Sequence, residues 1–315
     1  MLFDRKKAIK EGKQPEPIKK IGNYTFNQLT EQYLAWAERQ RSIRTKKGFI
    51  RQLVKTFGNL PLRRFNTMMI EQFQTERINK GNKAATINRL LATIKHMFTK
   101  AEQWEMVEEY VVKKIQHVKL LEENNRRLRY LSVDECHALL NVCNSHLKHI
   151  VIIALHTGMR KGEILSLKWD NIDLKNGFIL LEVTKNGERR EISVNDTVKE
   201  ALIGLDRRID IPYLFYDKTT GKQYKDIKTS FNTACKKAGI KDFHFHDLRH
   251  TFASHLVMAG EDIMVVKKLL GHKTLTMTLR YSHLAPGHTA KAVNTLDKLL
   301  SGKPTIQKLY NQEDS

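Results

Sequence analysis

The chain of 315 residues has three cysteines, Cys136, Cys143 and Cys235, an odd number with no Cys-x-x-Cys pair. That excludes a disulfide framework and fits a reducing compartment, with each thiol serving as a small buried hydrophobe. Long hydrophobic runs are missing too. The longest obvious one, Ile150 to Leu155, is far too short to cross a bilayer. The opening stretch MLFDRKKAIKEGKQPEP is charged and carries no apolar leader, so a soluble intracellular protein without membrane contact is expected. No internal repeat, low-complexity segment or P-loop is evident. Acidic residues are scarce beside basic ones: 34 Asp plus Glu against 55 Lys plus Arg give a net charge of +21, with a pI near 9.8. So large an imbalance repels itself. It points to a polyanionic partner, most often nucleic acid, over a basic surface kept only for solubility.

What is present suffices for two globular domains: 41% hydrophobic and 28% charged residues. Residues 1–21 read as a charged segment, a short helix and then a linker with Pro15 and Pro17. A helical domain is expected over 22–118. Thr25 and Gln28 have capping-box spacing, ahead of Leu29, Tyr33, Leu34 and Trp36. Further helices fit Lys46–Phe57, Thr67–Asn79 and Ala84–Gln103. In the last, Ile87, Leu90, Leu91, Ile94, Met97, Phe98 and Ala101 form one stripe. Lys83, Thr86, Arg89, Thr93, His96 and Lys100 fall on the opposite face, either merely solvated or set against phosphates. The polar stretch LEENNRRLRY has no periodicity, so 119–130 is expected to be a linker. A second domain follows over 131–300. Ser132 and Glu135 form another capping box, and helices fit Val133–Cys143 and Leu147–His156. GFILLEVTKNGERREISV holds two strand-like runs about Asn186-Gly187, a hairpin signal that carries Lys185 beside its tip. Beyond Phe215 the chain reads as helical again. Val293, Leu296, Leu299 and Leu300 mark an amphipathic helix before a polar tail at 301–315.

The densest chemistry lies in FHFHDLRHTFASHL, residues 243–256. His246 and His250 are four apart, as zinc ligands on a helix can be, with Asp247 in the place of the usual Glu. A short Asp, the cation Arg249 between the ligands and the want of a third ligand motif weigh against zinc. The other reading makes Arg249 a phosphate fork with His246 beside it as a titratable donor. TGMRKGE supplies a second arginine, Arg160, after Gly158 and before Glu163. GHKTLTMTLRYSHL then sets Tyr281 nine residues after His272. Each motif alone is weak, and Tyr281 by itself is one of nine tyrosines.

Taken in order, T-G-x-R, a hairpin lysine, H-x-L-R-H, L-L-G-H and a tyrosine resemble the tyrosine recombinase (phage integrase) family, over about residues 22–300. The resemblance implies a mainly α fold with a small antiparallel β-sheet: a helical, SAM-like core-binding domain and a catalytic domain, clamping DNA from two sides. It makes Arg160 and Arg249 the clamp on the scissile phosphate, His246 an aid to proton transfer, Lys185 the acid for the leaving 5′ oxygen, His272 a phosphate ligand and Tyr281 the nucleophile. Glu163, Asp247 and His250 are expected to support these groups. The chemistry agrees: two guanidiniums neutralise the charge building on a phosphodiester, and a phenol with a pKa of about 10 needs nearby cations and a base. No cofactor, metal or ATP is implied.

The resemblance also implies double-stranded recombination sites as substrate, a homotetramer on DNA with Holliday-junction intermediates, a directionality or host DNA-bending partner, and a cytoplasmic, nucleoid-associated location. Lys83, Thr86, Arg89, Lys100 and Arg189 are candidate DNA contacts, with Arg190 a rival to its neighbour. Integration or excision of mobile DNA is the first reading and Xer-type resolution of chromosome or plasmid dimers the second. A non-cleaving DNA-binding module is a third of another class, and a type IB topoisomerase fits the separate bundle and linker less well. The first residues resemble the helix after an arm-binding domain, which suggests a shortened chain. The C-terminal helix is expected to pack in cis or on a neighbouring protomer. His283 has no assigned role.

Overall fold

The computed structural model describes residues 21–40, 43–123, 127–181, 189–286 and 289–300, with side chains in the last segment described only at 293–296, 299 and 300. Two compact units divide the chain, Met1–Asn125 and Arg126–Ser315. The division falls inside the segment 119–130 expected as linker.

The described part of the first unit carries α1 (Phe26–Ala37), α2 (Ile43–Phe57), α3 (Thr67–Asn79), α4 (Ala84–Gln103) and α5 (Glu109–Gln116). The expected capping box opens α1, where the Thr25 N–H donates to Gln28 Oε1 at 2.8 Å. Asn66 caps α3 by accepting the Met69 N–H at 2.9 Å. All seven apolar residues of the α4 stripe are buried. Phe98 of that stripe packs on Phe65, ring centres 4.7 Å apart, and both lie within stacking distance of Phe26; burial of such large apolar rings stabilises the unit. Helix α5 has no counterpart among the sequence expectations. Eight residues give too few turns for a period to declare itself, yet Val111, Val112 and Ile115 are buried.

One polar residue shares the buried face of α4. Asn88, 5% exposed, donates to Leu121 O and accepts from Leu121 N, both at 2.8 Å. Gln74 Nε2 donates to Lys119 O at 2.9 Å. The start of the expected linker is thus fastened to the helical unit by side-chain amides that imitate backbone pairing.

The second unit carries α6 (Val133–Val142), α7 (Ser145–Thr157), α8 (Lys161–Leu165), β1 (Ile172–Asp173), β2 (Phe178–Leu181), β3 (Arg190–Ser193), α9 (Asp196–Ile203), α10 (Lys228–Lys237), α11 (Asp247–Met258), α12 (Ile263–Leu270), α13 (Thr276–Leu279) and α14 (Thr289–Leu300). The mainly α class with a small antiparallel sheet is observed. The strands run in the order β1-β2-β3, with Ile179 opposite Ile192 and Leu181 opposite Arg190. Ile179, Leu181 and Ile192 enter a core with Ile150, Val151 and Ile153 of α7. The Asn186-Gly187 turn and Lys185 lie outside the described residues.

Beyond Phe215 the chain does not return to helix at once. Asp217 Oδ1 accepts the N–H groups of Thr219 and Thr220 at 3.0 and 2.8 Å, Gly221 has a φ of 65°, and Tyr216 bridges Gln223. This Asp-anchored turn displaces the helix start to α10. A small third core joins α11 and α12 through Ala253, Val257, Val266, Leu270 and Tyr281. On α14 the apolar residues Val293, Leu296, Leu299 and Leu300 are 56 to 79% exposed, so none of the described residues covers them. No described helix is long and apolar enough to cross a membrane.

Replacing Asn88 by Leu strands both the N–H and the C=O of Leu121. Urea unfolding of the protein is expected to register a loss of about 1–3 kcal/mol. An unchanged midpoint would mean that this amide contributes nothing to the helical unit.

Candidate active site

Two helix ends form the base of the site. α7 ends at Gly158 with φ of 62°, and α12 ends at Gly271 with φ of 61°. A left-handed glycine ends a helix without strain and leaves terminal carbonyls to find other donors. Both glycines also mark close approaches. A Cβ at Gly158 would lie 2.5 Å from Cδ1 of Phe252 on α11, and one at Gly271 would lie 2.2 Å from Nη1 of Arg190.

Arg249 meets both helix ends. It is 3% exposed, and donates from Nη1 to Gly158 O at 2.7 Å and from Nη2 to Leu270 O at 2.5 Å. Burial, with Arg160 and Arg190 nearby, pushes its pKa down to about 10, so it stays charged at neutral pH. Arg160 stands at the start of α8. Glu163 accepts its backbone N–H at 2.9 Å and its Nη1–H at 2.7 Å. With a side chain 25% exposed, Arg160 keeps a face for a ligand.

His246 immediately precedes α11, and its ring meets that of His250 edge-on, centres 5.2 Å apart. His246 is exposed as a residue, yet desolvation of its ring and the neighbouring Arg249 hold its pKa below the usual value. The ring is therefore neutral near pH 7 and able to take a proton. Asp247 anchors this turn by accepting the His244 N–H at 2.8 Å and an Arg127 Nη2–H at 3.1 Å. His272 follows Gly271, and its Nδ1 lies 2.9 Å from Thr278 Oγ1, which leaves Nε2 for a ligand. Tyr281 is 1% exposed, with its hydroxyl 2.6 Å from Nδ1 of His250. Burial raises the phenol's pKa, opposed by Arg280 and Arg249. The hydroxyl is a neutral, enclosed group whose partner is His250.

Five of the six residues singled out in the sequence therefore share one region: Arg160, His246, Arg249, His272 and Tyr281 are electrostatically coupled through the two arginines. The sixth, Lys185, lies outside the described residues. Sequence reasoning overlooked Arg190 as a member of the cluster and Thr278 as the partner of His272. It gave His250 a supporting role without naming Tyr281 as its contact. Against the zinc reading, the buried Arg249 guanidinium acts on both histidines and would repel a cation held between them. Among the candidate DNA contacts, Lys83, Arg89 and Arg189 are exposed and Thr86 is half-buried. Arg89 Nη1 donates to Ala85 O at 2.7 Å. Lys100 donates to Gln103 Oε1 at 2.7 Å and sits 4.6 Å from the centre of the Trp36 ring.

His250 and His272 have pKa values of about 4, against 6.5 for a free side chain, mainly through burial. The unfolded chain therefore takes up protons first. Their stabilising contribution is complete above about pH 6.5 and is lost as pH falls towards 4. The thermal midpoint is expected to drop between about pH 7 and pH 5, above the carboxylate range, and His250→Gln should shrink that drop. A midpoint that is flat or rises on acidification contradicts this ionisation scheme.

A family model described as the phage integrase family matches residues 129–288. The integrase of Salmonella phage P22 is 32% identical over 240 residues, which cover 71% of this chain and 60% of the relative. The integrase of Haemophilus phage HP1 is 30% identical over 260 residues, 78% of this chain and 72% of the relative. This chain thus spans somewhat under two thirds of the P22 protein's length. In backbone, a Tn1549 transposon integrase solved in complex with a circular-intermediate DNA is similar at a TM-score of 0.70, with 20% identity, over 87% of this chain and 99% of that one. That likeness concerns the fold. The match across both arginine motifs, the paired histidines and the tyrosine segment places the chain: it belongs to the phage integrase family of tyrosine recombinases.

Proposed function

We propose that this protein breaks and rejoins double-stranded DNA at specific sites, to integrate or excise mobile DNA, through a 3′-phosphotyrosyl link to Tyr281. The observation that carries this reading is the convergence of Arg160 and Arg249 beside His246, His272 and Tyr281. Each arginine is fixed by protein acceptors and keeps further N–H groups for a phosphate. The net charge of +21 suits a DNA partner, and the integrases among the relatives support the biological role.

In the reaction, Arg160 and Arg249 neutralise the charge that builds on the non-bridging oxygens. Tyr281 must first exchange His250 for the phosphate. Its oxygen then bonds to phosphorus, its proton passes to neutral His246, and the bond to the 5′ oxygen breaks. Lys185 protonates that leaving oxygen, while His272 donates from Nε2 to the phosphate. The phosphotyrosyl bond keeps the energy of the broken diester, so the 5′ hydroxyl of a second strand reverses the steps without ATP. Four copies acting on two sites complete strand exchange, aided by a directionality or host DNA-bending factor. Lys83, just before α4, and Arg89 in its second turn, both exposed, contact backbone phosphates, and Arg189 does so beside the active site.

On a nicked duplex carrying the DNA junction that flanks the protein's own gene, the wild type is expected to form a covalent adduct in EDTA. Arg160→Ala should slow adduct formation by about 10²-fold or more, while Tyr281→Phe binds without attachment; adducts from the Phe variant would point to another nucleophile. Affinity should fall steeply with salt. Lys83→Ala and Arg89→Ala should each lower the slope of log affinity against log salt by about 1, and an unchanged slope would remove those two residues from the DNA interface.

A further inference from the structure

Arg190 begins β3 and faces away from solvent, its side chain 13% exposed. Its Nη1 donates at 2.7 Å to Leu270 O, the same oxygen that accepts Nη2–H of Arg249 at 2.5 Å. Its Nη2 lies 3.8 Å from Glu163 Oε2, on the carboxylate that fixes Arg160. The one guanidinium therefore touches the anchor of each phosphate-clamp arginine. Gly271 makes room for it, since a Cβ there would fall 2.2 Å from Nη1 and 3.0 Å from Cδ. Its Nε and Nη2 are buried and have no hydrogen-bond partner among the described residues. Three guanidiniums thus gather about one carboxylate. A buried charge so poorly matched is costly unless an anion completes it.

We propose that Arg190 is a positioning residue of this active site, tying the Leu270–Gly271–His272 turn to the Arg160–Glu163 pair and adding a third positive charge to the field on the scissile phosphate. The proposal rests on the phosphate-binding reading of the site given above. It explains why a glycine follows α12 where His272 must be placed, and why a guanidinium is buried with donors unused. The bound diester supplies the negative charge that the free site lacks.

The test measures the rate of covalent adduct formation on the nicked junction duplex, with either a phosphodiester or an uncharged methylphosphonate at the scissile position. Arg190→Gln keeps an amide donor for Leu270 O and loses the charge. It is expected to slow attack on the phosphodiester by about 10²-fold, with a deficit at least several-fold smaller on the methylphosphonate. Arg190→Lys, which keeps the charge, should recover part of the rate. Gly271→Ala, which both displaces the guanidinium and strains the turn at a φ of 61°, should slow the wild type by more than it slows Arg190→Gln, where only the strain remains. If Arg190→Gln does not fold, Gly271→Ala on the two substrates carries the same comparison. Wild-type rates in Arg190→Gln, or equal deficits on both substrates, would overturn the proposal. A wild type that attacks neither substrate would overturn the function reading instead, and this inference with it.

Discussion

A guanidinium that is 3% exposed has to be met by acceptors, and in this protein the acceptors of Arg249 are the ends of two helices. Helix C-termini suit the task, because their carbonyls lack intrahelical partners and carry the negative end of the helix dipole. Much of the second unit follows from that meeting. α7 and α12 must end within reach of α11, each on a left-handed glycine. Gly158 lets Phe252 of α11 press against the end of α7, and Gly271 lets Arg190 reach the end of α12. The Ile150, Val151 and Ile153 core holds α7 in place, and the Val257, Val266 and Leu270 cluster holds α12.

The same packing sets the state of the tyrosine. Tyr281 belongs to the α11–α12 cluster, so the helix that carries Arg249 also encloses the phenol and offers it His250. Enclosure raises the phenol's pKa while the arginines oppose that shift. The free chain thus combines two charged arginines with a protonated hydroxyl held by His250. On the function proposed, DNA both fills the clamp and draws the tyrosine out, which keeps the reactive oxygen away from water until a diester is present.

Much of this was legible in the sequence. The two capping boxes at Thr25 and Ser132 are where spacing placed them, and the α4 stripe is buried throughout. The order of arginine, histidine and tyrosine motifs located five cluster members. What was not legible depends on contacts between distant residues. Arg190 and Leu270 are 80 positions apart, and nothing local separates a half-buried Arg190 from an exposed Arg189. His250 and Tyr281 are 31 apart, so the histidine could be named as support but not given its partner. α5 was too short to announce itself, and the Asp217 turn overrode helical composition because an Asp carboxylate satisfies two backbone N–H groups there.

On the function proposed, Tyr281 becomes covalently joined to DNA. Cleavage after Arg280 and Lys291 releases residues 281–291, a peptide whose one tyrosine is Tyr281. Mass spectrometry of a trapped, nuclease-trimmed and trypsin-digested adduct should find a 3′-nucleotide phosphate on that peptide's tyrosine. Nucleotide mass on any other tyrosine, or recovery of this peptide unmodified from a covalent complex, would contradict the account.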